Sequence, residues 1–284
     1  MGKRKGGNGD KSGRKKAKIV GFIDPGTSGV YATCNRGREQ QCRKELMALF
    51  GEKIHEYFDL DQVDEGEDDD TTELSIEDLI KKELNELKEA QESKKEFLKP
   101  IELGCECLVF IKTRKPIDPE VLVSRICQES ADSGVKLTRY TQRLTPISFS
   151  VTATKEELAK LATRVLKPHF HREEGQESLK FAIQVTKRNF NAIPKDEIIK
   201  KIAETVGREH GHRVDLKNYD RLIMVEGYKS NIGMSVMSNY DVLGKFNLQM
   251  IYDNAVEEKE RKEKEEKGES KEEEPKEDNK DKET

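Results

Sequence analysis

FAIQVTKRNFNAIPKDEIIKKIAETVG, residues Phe181–Gly207, is the stretch that decides the fold, together with RLIMVEGYKSNIGMSVMSNYDVLGKFN, residues Arg221–Asn247. Apolar alternation predicts a strand over Leu179–Thr186, followed by the basic polar turn Lys187-Arg188-Asn189. Pro194–Val206 then reads as a helix with Ile198, Ile199, Ile202 and Val206 inward. Leu222–Glu226 and Ile232–Ser238 read as two more strands. Lysine and arginine therefore gather where a strand ends and a helix begins. Free backbone N–H groups and the positive dipole end of a helix suit phosphate oxygens there, and basic side chains add charge-assisted donors. The candidate RNA-binding residues are Lys187, Arg188, Asn189 and Lys195, with Lys229 and Lys245 in loops of the same module.

On the N-terminal side of this module, Thr154-Lys-Glu-Glu157 is a capping box. The helix it opens buries Leu158, Leu161, Ala162, Val165 and Leu166, and Pro168 is expected to end it. Further out, Asp118-Pro119 supplies an N-cap and a proline at the first helical position, ahead of the apolar line Val121, Leu122, Ile126, Cys127. A nearly continuous apolar run, Leu103–Thr113, reads as one buried strand, and Val135–Val151 as a strand region broken by Pro146. The turn Asp24-Pro25-Gly26 precedes a short strand at Val30–Cys34 and a helix over Arg36–Tyr57. The order is β-α, insertion, β-α-β, an α/β (α+β) pattern that reads as a ferredoxin-like half. The expected division is a disordered basic arm at 1–20, a ferredoxin-like domain at 21–150 with an acidic and helical insertion at 59–99, the strand–helix module at 151–254, and a disordered charged tail at 255–284.

Charge is unevenly placed along the 284 residues. Residues 1–20 carry +7, residues 59–73 carry −9 and residues 257–284 carry −5, so the whole-chain −4 leaves +3 on the remainder. The foldable part is mildly basic, which admits a polyanion as partner. Lys3–Lys5 and Arg14–Lys18 are basic clusters of the nuclear-localisation kind. Five cysteines, an odd number, lie without metal-type pairing and with no secretory signal before them, so reduced thiols and an intracellular, nuclear or nucleolar place with a cytoplasmic share are expected. Cys105 and Cys107 are read as same-face residues of the buried strand. No apolar run approaches the roughly 20 residues of a membrane span.

Catalytic constellations are missing: there is no G-x-G-x-x-G, no G-x-x-x-x-G-K-S/T and no G-x-S-x-G. His169 and His171, and His210 and His212, form two H-x-H pairs, without cysteines or carboxylates at ligand spacing to complete a metal site. Tryptophan is absent and aromatics are 6%, which favours binding by shape and phosphate over base stacking.

At FAIQVTKRNFNAIP, KDEIIKKIAETVG and the closing VDLKNYDRLIMVEGYKSNIGMSV…LGKFN the chain resembles the THUMP domain of RNA-modifying enzymes, over about Val151 to Tyr252. GFIDPGTSGVYATC at Gly21–Cys34, behind a basic tail, narrows the resemblance to the stand-alone, fungal-type THUMP adaptors of tRNA cytidine acetylation. The resemblance implies an N-terminal ferredoxin-like domain followed by a THUMP domain that grips tRNA near its acceptor end. It implies no catalytic residues, no metal and no cofactor of its own. It also implies presentation of serine and leucine tRNAs to an RNA cytidine acetyltransferase for N4-acetylcytidine formation, with no membrane partner and no small-molecule substrate. RNA-binding positions carried over on matching segments are Lys187, Arg188, Asn189 and Lys195, then Lys229 and Lys245; Arg139, Arg143, Arg164 and Lys167 match in composition only. Two other classes stay open at this point: an RNA-binding scaffold in ribosome assembly that binds through its charged tails, and a tRNA-modifying enzyme with an unrecognised site.

Overall fold

The computed structural model describes residues 21–60 and 97–269, with side chains described as far as 262. The first unit runs β1 (Ser28–Cys34), α1 (Glu39–Tyr57), β2 (Leu98–Ile101), β3 (Leu108–Thr113), α2 (Pro119–Ser133) and β4 (Thr141–Ile147). Its strands form one antiparallel sheet in the order β2-β3-β1-β4. With β-α-β-β-α-β connectivity this is the ferredoxin-like arrangement. One face of the sheet (Val30, Ala32, Ile111, Leu144) packs on Leu46, Phe50 and Ile54 of α1 and on Leu122 and Ile126 of α2. Removing those side chains from water is the main force holding the layers, about 1.5–3 kcal/mol for each large residue. Asp118 caps α2 as expected, accepting from the Glu120 amide at 2.8 Å.

The second unit comprises β5 (Phe149–Thr152), α3 (Lys155–Phe170), β6 (Lys180–Arg188), α4 (Lys195–Val206), β7 (Arg213–Val214), β8 (Arg221–Tyr228) and β9 (Asn231–Met237). The sheet order is β5-β9-β8-β6-β7, with β6 parallel to both neighbours and the other pairs antiparallel. Leu158, Leu161, Leu166 and Phe170 of α3, with Ile198, Ile202 and Val206 of α4, cover Ile223, Val225, Ile232 and Met234. Thr154 closes its capping box on the Glu157 amide at 3.2 Å. The last helix, α5 (Leu248–Glu269), crosses back to the first unit: Leu248 and Ile251 join the core formed by α2 and β4.

Several expectations are corrected. Leu98 and Lys99, the last two residues given to the insertion, instead open the edge strand β2, which pairs Leu98 with Thr113 and Ile101 with Phe110. The run Leu103–Thr113 is not one strand: Gly104 (φ 64) and Cys107 (φ 60) turn the chain out of the extended region, so Cys105 and Cys107 lie in a loop. Pro146 does not break β4, because β4 is an edge strand where a missing N–H is tolerated. The break falls at Ser148, where the chain passes from one sheet to the other. Pro168 leaves α3 two residues to run, to Phe170. The tail expected to be disordered from 255 continues α5 as far as Glu269, seeded by the packing of Ile251 and extended by pairs such as Glu258–Lys262 at 2.9 Å. The basic arm, the acidic run and the insertion helix, and the chain beyond 269, lie outside the described residues. Among the described residues no helix is long and apolar enough to cross a membrane.

Candidate nucleic-acid interface

Strand β6 reaches Arg188, two residues beyond the expected stop, and this sets where the basic residues point. Successive strand residues face opposite sides. Phe181 and Val185 face the α3/α4 layer, so Lys187 does too; it is exposed, with its ammonium 5.5 Å from the Phe190 ring centroid. Phe190 crosses over β8 only because residue 227 is glycine: a Cβ there would stand 2.7 Å from Cγ of Phe190. Asn189 makes the turn at φ 50, a conformation asparagine tolerates better than most residues.

Arg188 points the other way, into the joint between the two units. Near it lie Glu226 on β8 and Arg143 on β4. Burial pushes the Glu226 carboxyl up to about 7, against the opposing pull of a Thr186 hydrogen bond and of the Arg188 and Arg143 charges. The Nε atoms of Arg143 and Arg188 are buried and have no hydrogen-bond partner among the described residues. Two guanidiniums from different units thus bring positive charge to the joint, beside a buried carboxylate.

Lys229 has a task within the fold. At the β8–β9 turn its amide donates to the Arg188 carbonyl at 3.2 Å, and its ammonium donates to the Gly21 carbonyl at 2.8 Å, 4.9 Å from the Phe22 ring centroid. Asn231 Nδ2 donates to the Ile23 carbonyl at 3.2 Å, and the Gly26 amide to the Ser150 carbonyl at 2.6 Å. Residues 21–26 are thus a strap laid along β5 and the β8–β9 turn.

Lys195 is exposed at the start of α4, on the same side of the sheet as Lys187. That helix end has no side-chain cap, and its first turn holds Asp196 and Glu197, the latter 2.6 Å from Lys155. Its own acids therefore offset the positive dipole end. Lys245 is exposed in the 3-10 turn Gly244–Phe246, whose Phe246 packs with Ala182, Leu222 and Met224 on the opposite face. The expected set is accordingly divided by the sheet: Lys187 and Lys195 on the helical side, Arg188 and Lys245 on the other, Lys229 at the turn. The missed partners, Arg143 and Glu226, carry no local signal, since one lies in another unit and the other reads as an ordinary strand residue.

The histidines do gather: His171 and His210 ring centroids are 5.9 Å apart, and His210 and His212 are 5.8 Å apart. Their nitrogens are largely committed. His212 Nδ1 accepts from the Leu179 amide at 3.1 Å while Nε2 donates to the Phe170 carbonyl at 2.9 Å, and His171 Nε2 meets the Thr205 carbonyl at 3.0 Å. Among the described residues no group of three or more His, Cys, Asp or Glu is placed to hold a metal ion.

Residues 152–237 match the THUMP domain family. That range opens at the last residue of β5 and closes at the last residue of β9, so Arg143, Lys245 and α5 lie outside it. Over 285 aligned residues the chain is 47% identical to the tRNA acetyltransferase TAN1 of Saccharomyces cerevisiae, covering 92% of this chain and 99% of that protein. It is 32% identical to THUMP domain-containing protein 1 of Mus musculus over 84% of this chain and 68% of that one. The Homo sapiens protein of the same name is 31% identical over 81% and 65%.

Proposed function

The chain belongs to the family of THUMP-domain proteins represented by these relatives, and on that premise we propose that it is a tRNA-binding adaptor for tRNA acetylation. In this reading it presents serine and leucine tRNAs to an RNA cytidine acetyltransferase, which forms N4-acetylcytidine, and it works in the nucleus. The observation that carries the reading is the identity to a protein named for tRNA acetylation along nearly the whole of both chains. The strand end at the joint between the two units supports it physically: Arg143 and Arg188 concentrate positive charge there, and Lys187 stands exposed. The absence of nucleotide-cradling glycine motifs from the sequence supports placing the acetyl donor on a partner chain.

Nucleoside mass spectrometry of tRNA from cells lacking the protein tests this. Loss of N4-acetylcytidine from serine and leucine tRNAs, with ribosomal acetylcytidine retained, is the expected result. Unchanged acetylcytidine in those tRNAs overturns it. Binding is tested separately: purified protein should hold a structured tRNA more tightly than an unstructured RNA of equal length.

The name of the yeast relative favours a second reading, in which this chain itself transfers the acetyl group. Incubating the purified chain alone with acetyl-CoA, ATP and tRNA separates the two. Product formed without a second protein would support the enzyme and end the adaptor.

A further inference from the structure

A second basic recess lies at the other end of the strap, where the two units meet. The end of β3 contributes Lys112 and the turn after it Arg114 and Lys115; the start of α2 contributes Asp118; β5 and α3 contribute Phe149 and Arg164. The crevice measures about 610 Å³, within the range of small-ligand sites. Four cations face one carboxylate, and that carboxylate is already committed to capping the Glu120 amide at 2.8 Å. Among the described residues none of the four cations makes an ion pair with a carboxylate.

The most informative contact is the Arg164 guanidinium carbon, 3.7 Å from the Phe149 ring centroid. At that separation the guanidinium is stacked on the ring, while Arg164 as a whole remains exposed. An arginine plane held in this way is a platform on which an unpaired base stacks. Lys112, Arg114 and Lys115 line the same crevice and supply point and fork charges for the flanking phosphates.

We propose that this crevice is a second RNA subsite, which takes one unpaired nucleotide on the Arg164–Phe149 stack and its neighbouring phosphates on Lys112, Arg114 and Lys115. It rests on the tRNA-binding reading and adds a place and a mode to it. The strap ties the two regions together. It runs from Gly21, held by Lys229 beside Arg188, to Gly26 at the crevice rim, a reach of at most about 18 Å for an extended segment. A single RNA strand can therefore touch both. The walls come from different units, so the crevice exists only while those units are docked.

The test uses the full chain and transcribed leucine tRNA. Arg164→Lys keeps the charge and removes the planar stack; it should weaken binding about 5- to 10-fold with the salt dependence unchanged. Replacing Lys112, Arg114 and Lys115 together by Gln should lower the slope of log K against log salt by about 2. A single-stranded RNA hexamer carrying 2-aminopurine should show a change in its base fluorescence on binding the wild type that Arg164→Lys removes. Thermal unfolding within a degree or two of the wild type confirms that these exposed substitutions leave the fold intact. If Lys187→Glu weakens tRNA binding while the crevice variants bind like the wild type, the second subsite is wrong and the general reading stands. If the wild type does not prefer tRNA over unstructured RNA, the tRNA-binding reading fails and this subsite falls with it.

Discussion

Glu120 Oε1 accepts a 2.8 Å hydrogen bond from the Val236 amide, so the first turn of α2 is pinned to β9 across the boundary between the units. The same oxygen accepts from the Ser148 hydroxyl, at the residue where the chain changes sheets, and Oε2 lies 3.5 Å from His169 Nε2. Burial raises the Glu120 carboxyl to about 7, with the hydrogen bonds pulling the other way. Burial and the nearby Arg221 and Arg172 charges depress His169. Glu120→Ala leaves the Val236 amide buried without an acceptor and should lower stability by about 1–3 kcal/mol. Glu120→Gln keeps an acceptor and should lose less. Urea unfolding of the three proteins at one pH checks the order.

Glu226 provides the pH prediction. Its folded value is raised from 4.5 to about 7 by burial, so between those values the folded state binds more protons than the unfolded state. The stabilisation linked to its proton is complete below about 4.5 and is lost as pH rises through about 7. The groups facing it are Thr186 and Arg188 on β6, Arg143 on β4 and Tyr31 on β1. Glu226→Gln should flatten the fall in stability across that window and leave the variant more stable at pH 8 by up to about 3 kcal/mol. Denaturant midpoints for wild type and variant from pH 4.5 to 8 measure it. Parallel curves would refute the assignment.

Lys187 and Arg188 are adjacent in sequence yet face opposite sides of the sheet, so they should respond differently to the same change. Lys187→Glu touches an exposed side chain and should weaken tRNA binding with stability within about 0.5 kcal/mol of wild type. Arg188→Glu sets a second acid beside the buried Glu226 and should lower stability as well as affinity. Melting curves beside filter-binding isotherms separate the two effects.

Lys229→Met keeps the apolar stem against Phe22 and removes the donor to the Gly21 carbonyl. Amide exchange over residues 21–26 should rise, while global stability falls by only about 0.5–1.5 kcal/mol. Hydrogen-exchange mass spectrometry reads the local change directly.

Local signals were legible where a single segment carries its own chemistry. Asp118-Pro119 and Thr154-Lys-Glu-Glu157 announced two helix starts, and both caps close in the structure. Apolar pattern placed β6, β8 and β9, and the helical stripes placed α3 and α4. Signals failed where a residue's role depends on a neighbour from elsewhere. Pro146 looks like a breaker until β4 is seen to be an edge, and residues from 255 look like a solvated tail until Ile251 anchors the helix that contains them. Lys112-Thr113-Arg114-Lys115 is a basic run in plain view, but nothing local marks it as one wall of a crevice.

Sequence alone determined the two-part α/β plan, the family resemblance and the basic character at the end of β6, because periodicity, capping and composition are properties of contiguous residues. Tertiary structure alone decided that Arg188 and Arg143 come near Glu226 while Lys187 faces away, that Lys229 holds a strap, and that Arg164 stacks over Phe149 in a crevice it shares with Lys112. The physical reason is the docking of two separate sheets: it joins residues far apart in the chain and sets their burial, and burial decides which charges remain available to a ligand.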